Sequence, residues 1–74
     1  MKTVENNNII YKSRIRLNIS QEELAEKIGV SRNTIQRWES GAKPRSADYV
    51  MRMAMVFGMS VDDLTSAIIE GNNG

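Results

Sequence analysis

A chain of 74 residues with a formal net charge of +1 is one domain, close to the size at which a single hydrophobic core only just outweighs chain entropy. Cysteine and histidine are both absent, which removes disulfides, thiolate metal sites, the usual general base and the commonest metal ligand. No loop has calcium-site spacing, the apolar runs are short, and MKTVENNNII lacks a signal-peptide core, so the expectation is a cytoplasmic protein that is not an enzyme, with no membrane span, no metal, no cofactor and no small-molecule ligand.

Residues 1–7 are polar and asparagine-rich and are expected to form a flexible N-terminal segment. A first helix is predicted from about Asn8 to Leu17, with Ile10, Arg14 and Leu17 on one face at helical spacing. Asn18 follows in the position that ends a helix with a left-handed residue. Ser20 and Glu23 have the spacing of a capping box, so a second helix starts at Gln21, with Leu24, Ala25 and Ile28 as its inner stripe and Gly29 as its stop. Only a tight turn fits between Gly29 and Ser31. Ser31 then caps a third helix over residues 32–39 that is closed by Gly41. The stretch GAKPR is a loop. Ser46 caps a fourth helix through about Phe57, closed by Gly58, and Ser60 with Asp63 repeats the capping pattern ahead of a short fifth helix. Residues 71–74, GNNG, read as a flexible tail, leaving residues 8–70 as the folded domain. The fold class is all-α with five helices.

Charge is unevenly distributed along these elements. Residues 32–52 carry five basic side chains (Arg32, Arg37, Lys43, Arg45, Arg52) against two acidic ones, whereas residues 60–74 carry three acids and no base. The third helix has only Ile35 and Trp38 as large apolar anchors, and at about 100° per residue these share one side. Trp38 is therefore expected in the core. Asn33, Gln36 and Arg37 project from the opposite side, with Arg32 at the N-terminal end. A surface helix ordinarily has a wider apolar stripe, so this one is held at two points and presented outward. A helix, a tight turn and a second helix of this kind form a helix-turn-helix. Its second helix fits a B-DNA major groove, where Arg pairs bidentately with guanine and Asn or Gln with adenine.

At these residues the chain resembles a family. SQEELAEKIGVSRNTIQRWESG is similar to the core of the Cro and phage-repressor type, or XRE-like, helix-turn-helix domains. Agreement at fixed spacing runs from about Ile10 through Leu64, including Arg14, Leu17, Ser20, Gln21, Gly29, Ser31, Ile35, Trp38, Glu39, Gly41, Ala54, Gly58 and Ser60; Asn18 stands where glycine is commoner. The resemblance implies a five-helix lambda-repressor-like domain. By position it implies base reading by Arg32, Asn33 and Arg37 with Gln36 beside them, and backbone contacts from Gln21, Ser31, Ser40, Lys43 and Arg45. It also implies an ion pair of Arg14 with Glu39, with Arg14 a further candidate for reaching phosphate.

Family members usually act as twofold dimers on inverted-repeat operators in double-stranded DNA, with half-sites about one turn apart. In ADYVMRMAMVFGM, Val50, Met53, Ala54 and Phe57 form the expected inward face. Met51, Met55 and Val56 lie off it and, with Ile68 and Ile69, are the candidate homodimer surface. The expected function is a sequence-specific DNA-binding transcriptional regulator, most simply a repressor. The alternatives are an antitoxin that binds a protein toxin and autoregulates through the same motif, and an interaction module that has lost DNA binding.

Overall fold

The computed structural model describes residues 8–71. Five helices follow one another, α1 (Ile9–Leu17), α2 (Gln21–Ile28), α3 (Arg32–Glu39), α4 (Ala47–Phe57) and α5 (Val61–Gly71), with no strand among the described residues. The segments expected to be flexible, 1–7 and 72–74, lie outside them. Gly71, expected in the tail, is instead the last residue of α5.

Local chemistry sets most of the boundaries. The Ser20 hydroxyl accepts from the Glu23 N–H while Glu23 Oε1 accepts from the Ser20 N–H, both at 3.0 Å, which satisfies two otherwise orphaned donors. Ser31, Ser46 and Ser60 cap α3, α4 and α5 through Oγ. Asn8 precedes α1 as its cap rather than joining it, its Oδ1 accepting from the N–H groups of Ile10 and Tyr11. At the other ends, Asn18 and Gly29 adopt the left-handed conformation, with φ of 59° and 89°. At Gly29 a β-carbon would also sit 3.1 Å from Arg52 Nη1, so any other residue there would be strained in its backbone and would have to displace the Arg52 guanidinium by a few tenths of an ångström.

The core is one cluster. Ile10 of α1, Leu24, Ala25 and Ile28 of α2, Ile35 and Trp38 of α3, Met53, Ala54 and Phe57 of α4, and Leu64 and Ile68 of α5 are all buried. α2 packs on α3, α4 on α5, and α1 reaches α3, α4 and α5. Three expectations are corrected. Leu17 is 39% exposed, because the reversal at Asn18 brings Ile19 against the core in its place. Ile68, expected on a partner surface, is 8% exposed: it stands one turn after Leu64 and shares its inward face. Val56, three residues after Met53, lies on the flank of the buried face of α4 and is half-buried against the core. Val50, on the expected inward face, is likewise half-buried.

Two long-range hydrogen bonds close helix C-termini. Arg52 Nη1 donates to the carbonyl of Ile28 at 2.8 Å, and Arg16 Nη2 to that of Phe57 at 3.0 Å. Each places a cation on carbonyls that have no partner inside the helix, at the negative end of its dipole.

Candidate nucleic-acid interface

The turn between α2 and α3 is built by two hydrogen bonds to one carbonyl: the N–H groups of Gly29 and Val30 both donate to Ala25 O, at 2.8 and 3.0 Å. Ser31 then starts α3, its Oγ accepting from the Thr34 N–H at 3.2 Å and lying 3.0 Å from Thr34 Oγ1. Ile35 and Trp38 are buried and Tyr49 packs on Trp38, with ring centroids 5.6 Å apart and a 49° tilt. The opposite face is open, and Arg32, Asn33, Gln36 and Arg37 are all exposed. α3 is therefore a short helix fixed from behind by aromatic packing, with four hydrogen-bonding side chains in front.

Asn8 adds a further anchor. Its Nδ2 donates to Trp38 O at 2.9 Å while its Oδ1 caps α1, so one side chain ties the start of α1 to the end of α3. Ser40 ends α3, its N–H donating to the carbonyls of Gln36 and Arg37.

An ion pair behind the helix ties it to α1. Arg14 Nε donates to Glu39 Oε2 at 2.6 Å and Nη2 to Glu39 Oε1 at 3.2 Å, while Nη1 donates to the carbonyl of Ile19 at 3.0 Å. Side-chain exposure is 11% for Arg14 and 5% for Glu39. The hydrogen bond to Glu39 raises the Arg14 pKa above the ordinary arginine value; desolvation opposes this, and charge attraction to Glu39 and Tyr11 adds to it. The guanidinium also lies 5.5 Å from the Tyr11 ring centroid, within cation–π range. Gln21 completes the group, its Nε2 donating to Glu39 Oε1 at 3.0 Å. The Arg14 guanidinium is largely buried and turned to Glu39 and Ile19, yet the residue also lines two of the grooves beside α3.

The remaining site residues gather around open grooves that flank α3. Tyr11, Gln21, Gln36, Arg37 and Ser40 line one together with the Arg14–Glu39 pair. Thr34, Arg37, Lys43, Arg45 and Tyr49 line a second, and Arg14, Ser20, Gln21, Glu22 and Arg32 a third. Arg37 thus stands on the ridge between two grooves, and the second brings three cations together from α3 and the following loop. Arg52, the fifth cation of the basic stretch, is committed to the end of α2 instead. Asn8, Tyr11 and Tyr49 were not readable as site residues, since only the packing of α1 and α4 brings them beside α3. Among the described residues no helix is long and apolar enough to cross a membrane.

Comparison with known proteins agrees with this geometry. The Helix-turn-helix family model (HTH_3) matches residues 10–64. The HTH-type transcriptional activator BcrR of Enterococcus faecalis is 33% identical over 63 residues, which cover 85% of this chain and 31% of that protein. An uncharacterized HTH-type transcriptional regulator of Methanocaldococcus jannaschii is 40% identical over 47 residues, covering 64% of this chain and 71% of its own length. The cryptic phage CTXphi transcriptional repressor RstR of Vibrio cholerae is 32% identical over 53 residues, covering 72% of this chain and 48% of RstR. The chain therefore spans less than half the length of BcrR and of RstR. No solved structure matches it.

Proposed function

Because this chain belongs to the XRE-type helix-turn-helix family of DNA-binding transcriptional regulators, we propose that it is a sequence-specific binder of double-stranded DNA that acts as a repressor by setting α3 in the major groove. The observation that carries this reading is the outward face of α3, where Arg32, Asn33, Gln36 and Arg37 are exposed opposite the buried Ile35 and Trp38. On this reading those four side chains supply discrimination through base edges. Gln21, Ser31, Ser40, Lys43 and Arg45, together with the N-terminal amides of α2, set register on phosphates. Chemistry on the nucleic acid has no part in it.

A helix this short reads few base pairs, and the exposed Met51, Met55 and Ile69 offer apolar surface for a second copy, which supports a homodimer on an inverted repeat. Repression requires only that the bound dimer occlude a promoter. The name of RstR accords with that outcome and the name of BcrR with the opposite one.

Selection of bound duplexes from a random library, repeated at two salt concentrations, tests the reading. The expected result is an enriched inverted repeat with half-sites about one turn apart, and a reporter driven from a promoter containing that repeat falls when the protein is present. Binding without enrichment leaves only the charge-driven component and refutes sequence specificity. An increase in reporter output refutes repression while leaving DNA recognition intact. Absence of binding at both salts favours the interaction module that has lost DNA binding, and a co-purifying toxin favours the antitoxin.

A further inference from the structure

We infer that Glu39 is a positioning residue for DNA-backbone contact, acting through the side-chain amide of Gln21; the inference rests on the DNA-binding reading above. A glutamine amide has a donating end and an accepting end that interchange by a half-turn of the terminal torsion, and on an open surface neither is preferred. Here the choice is made. Gln21 Nε2 lies 3.0 Å from Glu39 Oε1, and an ionised carboxylate only accepts, so the amino end must face it. That bond uses one of the two hydrogens on Nε2. The second stays available at the groove that Gln21 lines with Arg14, Gln36, Arg37, Glu39 and Ser40, where a phosphate oxygen would accept it. With the amide reversed, its carbonyl dipole would oppose a phosphate.

A carboxylate close to a phosphate site would ordinarily weaken anion binding, and the surrounding geometry meets that difficulty. Arg14 donates to both oxygens of Glu39, so the pair that lines the groove beside Gln21 carries no net charge, and Glu39 is only 7% exposed. The buried ion pair thus has a second role: it presents a neutral, oriented N–H donor at the start of α2. Pre-orienting the donor removes an ordering cost that would otherwise fall on binding.

The test is a mutant cycle read on DNA affinity. The double substitution Arg14→Met with Glu39→Met removes one positive and one negative charge together, so the net charge of the protein is unchanged, and it replaces a buried pair by apolar side chains of similar length. The probe is an arbitrary duplex of about 20 base pairs at low salt, because backbone contacts do not depend on sequence. In the unaltered protein Gln21→Met weakens binding about fivefold to tenfold, as expected for one hydrogen bond to a charged acceptor. The double variant shows a loss of similar size. Adding Gln21→Met to the double variant lowers affinity by less than about twofold further. An equal Gln21→Met loss in both backgrounds overturns the inference and leaves DNA binding intact. Absence of duplex binding by the unaltered protein overturns both. A measurement on the unaltered protein covers the case in which the double variant does not fold: hydrogen exchange of the Gln21 Nε2 protons is slower than that of the exposed Gln36 amide, and equal rates overturn the inference.

Discussion

Replacing Arg14 by methionine removes one member of a nearly fully buried ion pair and leaves the other in place. The lost interactions are hydrogen bonds of 2.6 and 3.2 Å to Glu39 and one of 3.0 Å to the Ile19 carbonyl, in a site where the two side chains are 11% and 5% exposed. Solvent screening is therefore slight. Stranding one charge of a buried pair costs about 3–5 kcal/mol. A domain of this length has roughly 4–11 kcal/mol of total stability, and each kcal/mol is worth about 4–8 °C of melting temperature at this size. Arg14→Met is therefore expected to lower the melting temperature by roughly 20 °C by circular dichroism, while Arg14→Met with Glu39→Met recovers most of that loss because no buried charge remains. A single variant melting within about 5 °C of the parent, or a double variant melting as low as the single one, refutes the reasoning. The pH dependence has a definite sign. The Arg14 pKa is raised in the folded state, chiefly by its hydrogen bond to Glu39, so its contribution is complete below the unfolded arginine value and is lost only as pH rises through the folded one. Between about pH 7 and 10 Arg14 should therefore cause no loss of stability, well below the arginine range.

Four further substitutions have outcomes set by the same geometry. Asn8→Ala removes the two-donor cap of α1 and the bond to Trp38 O, and should cost about 2 kcal/mol in urea denaturation; a loss under about 0.5 kcal/mol would show that this link is not holding α1 to α3. Arg37→Ala should cost about 1–3 kcal/mol of affinity on the selected operator and relax preference at one base pair, whereas Lys43→Ala should weaken all duplexes alike and reduce the salt slope by about one, both by fluorescence anisotropy; equal loss on operator and random DNA for Arg37→Ala would remove it from the base readers. Met55→Glu, at a side chain 82% exposed, should leave folding stability within about 0.5 kcal/mol but prevent two copies from occupying the inverted repeat in sedimentation; persistence of the two-copy complex would move the interface elsewhere.

The boundaries of the helices were legible because they are decided within three or four residues. Ser20 with Glu23, Ser31, Ser46 and Ser60 cap helices through atoms that the chain brings together whatever the tertiary fold, and Asn18, Gly29 and Gly58 end them through their own backbone freedom. The outward face of α3 was legible for a similar reason: one turn of periodicity separates Ile35 and Trp38 from Asn33, Gln36 and Arg37. The ion pair of Arg14 and Glu39 reached the sequence reading only through family resemblance, since 25 residues separate the two.

What tertiary structure alone decided lies where a donor has many candidate acceptors. Nothing local tells that Arg52 turns to the end of α2 and Arg16 to the end of α4, across 24 and 41 residues, or that Asn8 serves two helices at once. Periodicity sets Ile68 on the face of Leu64 and Ile69 off it, and the packing of α5 shows that this shared face is the one that enters the core. The orientation of Gln21 belongs to the same class: its amide acquires a direction only because α1 and the end of α3 bring a charge-neutralised carboxylate beside it. Short-range hydrogen bonds and helical period are written residue by residue, so this sequence by itself determined five helices and one exposed polar face. Which of its long side chains end up on that face and which are drawn beneath it depends on distances that exist only after the helices have packed.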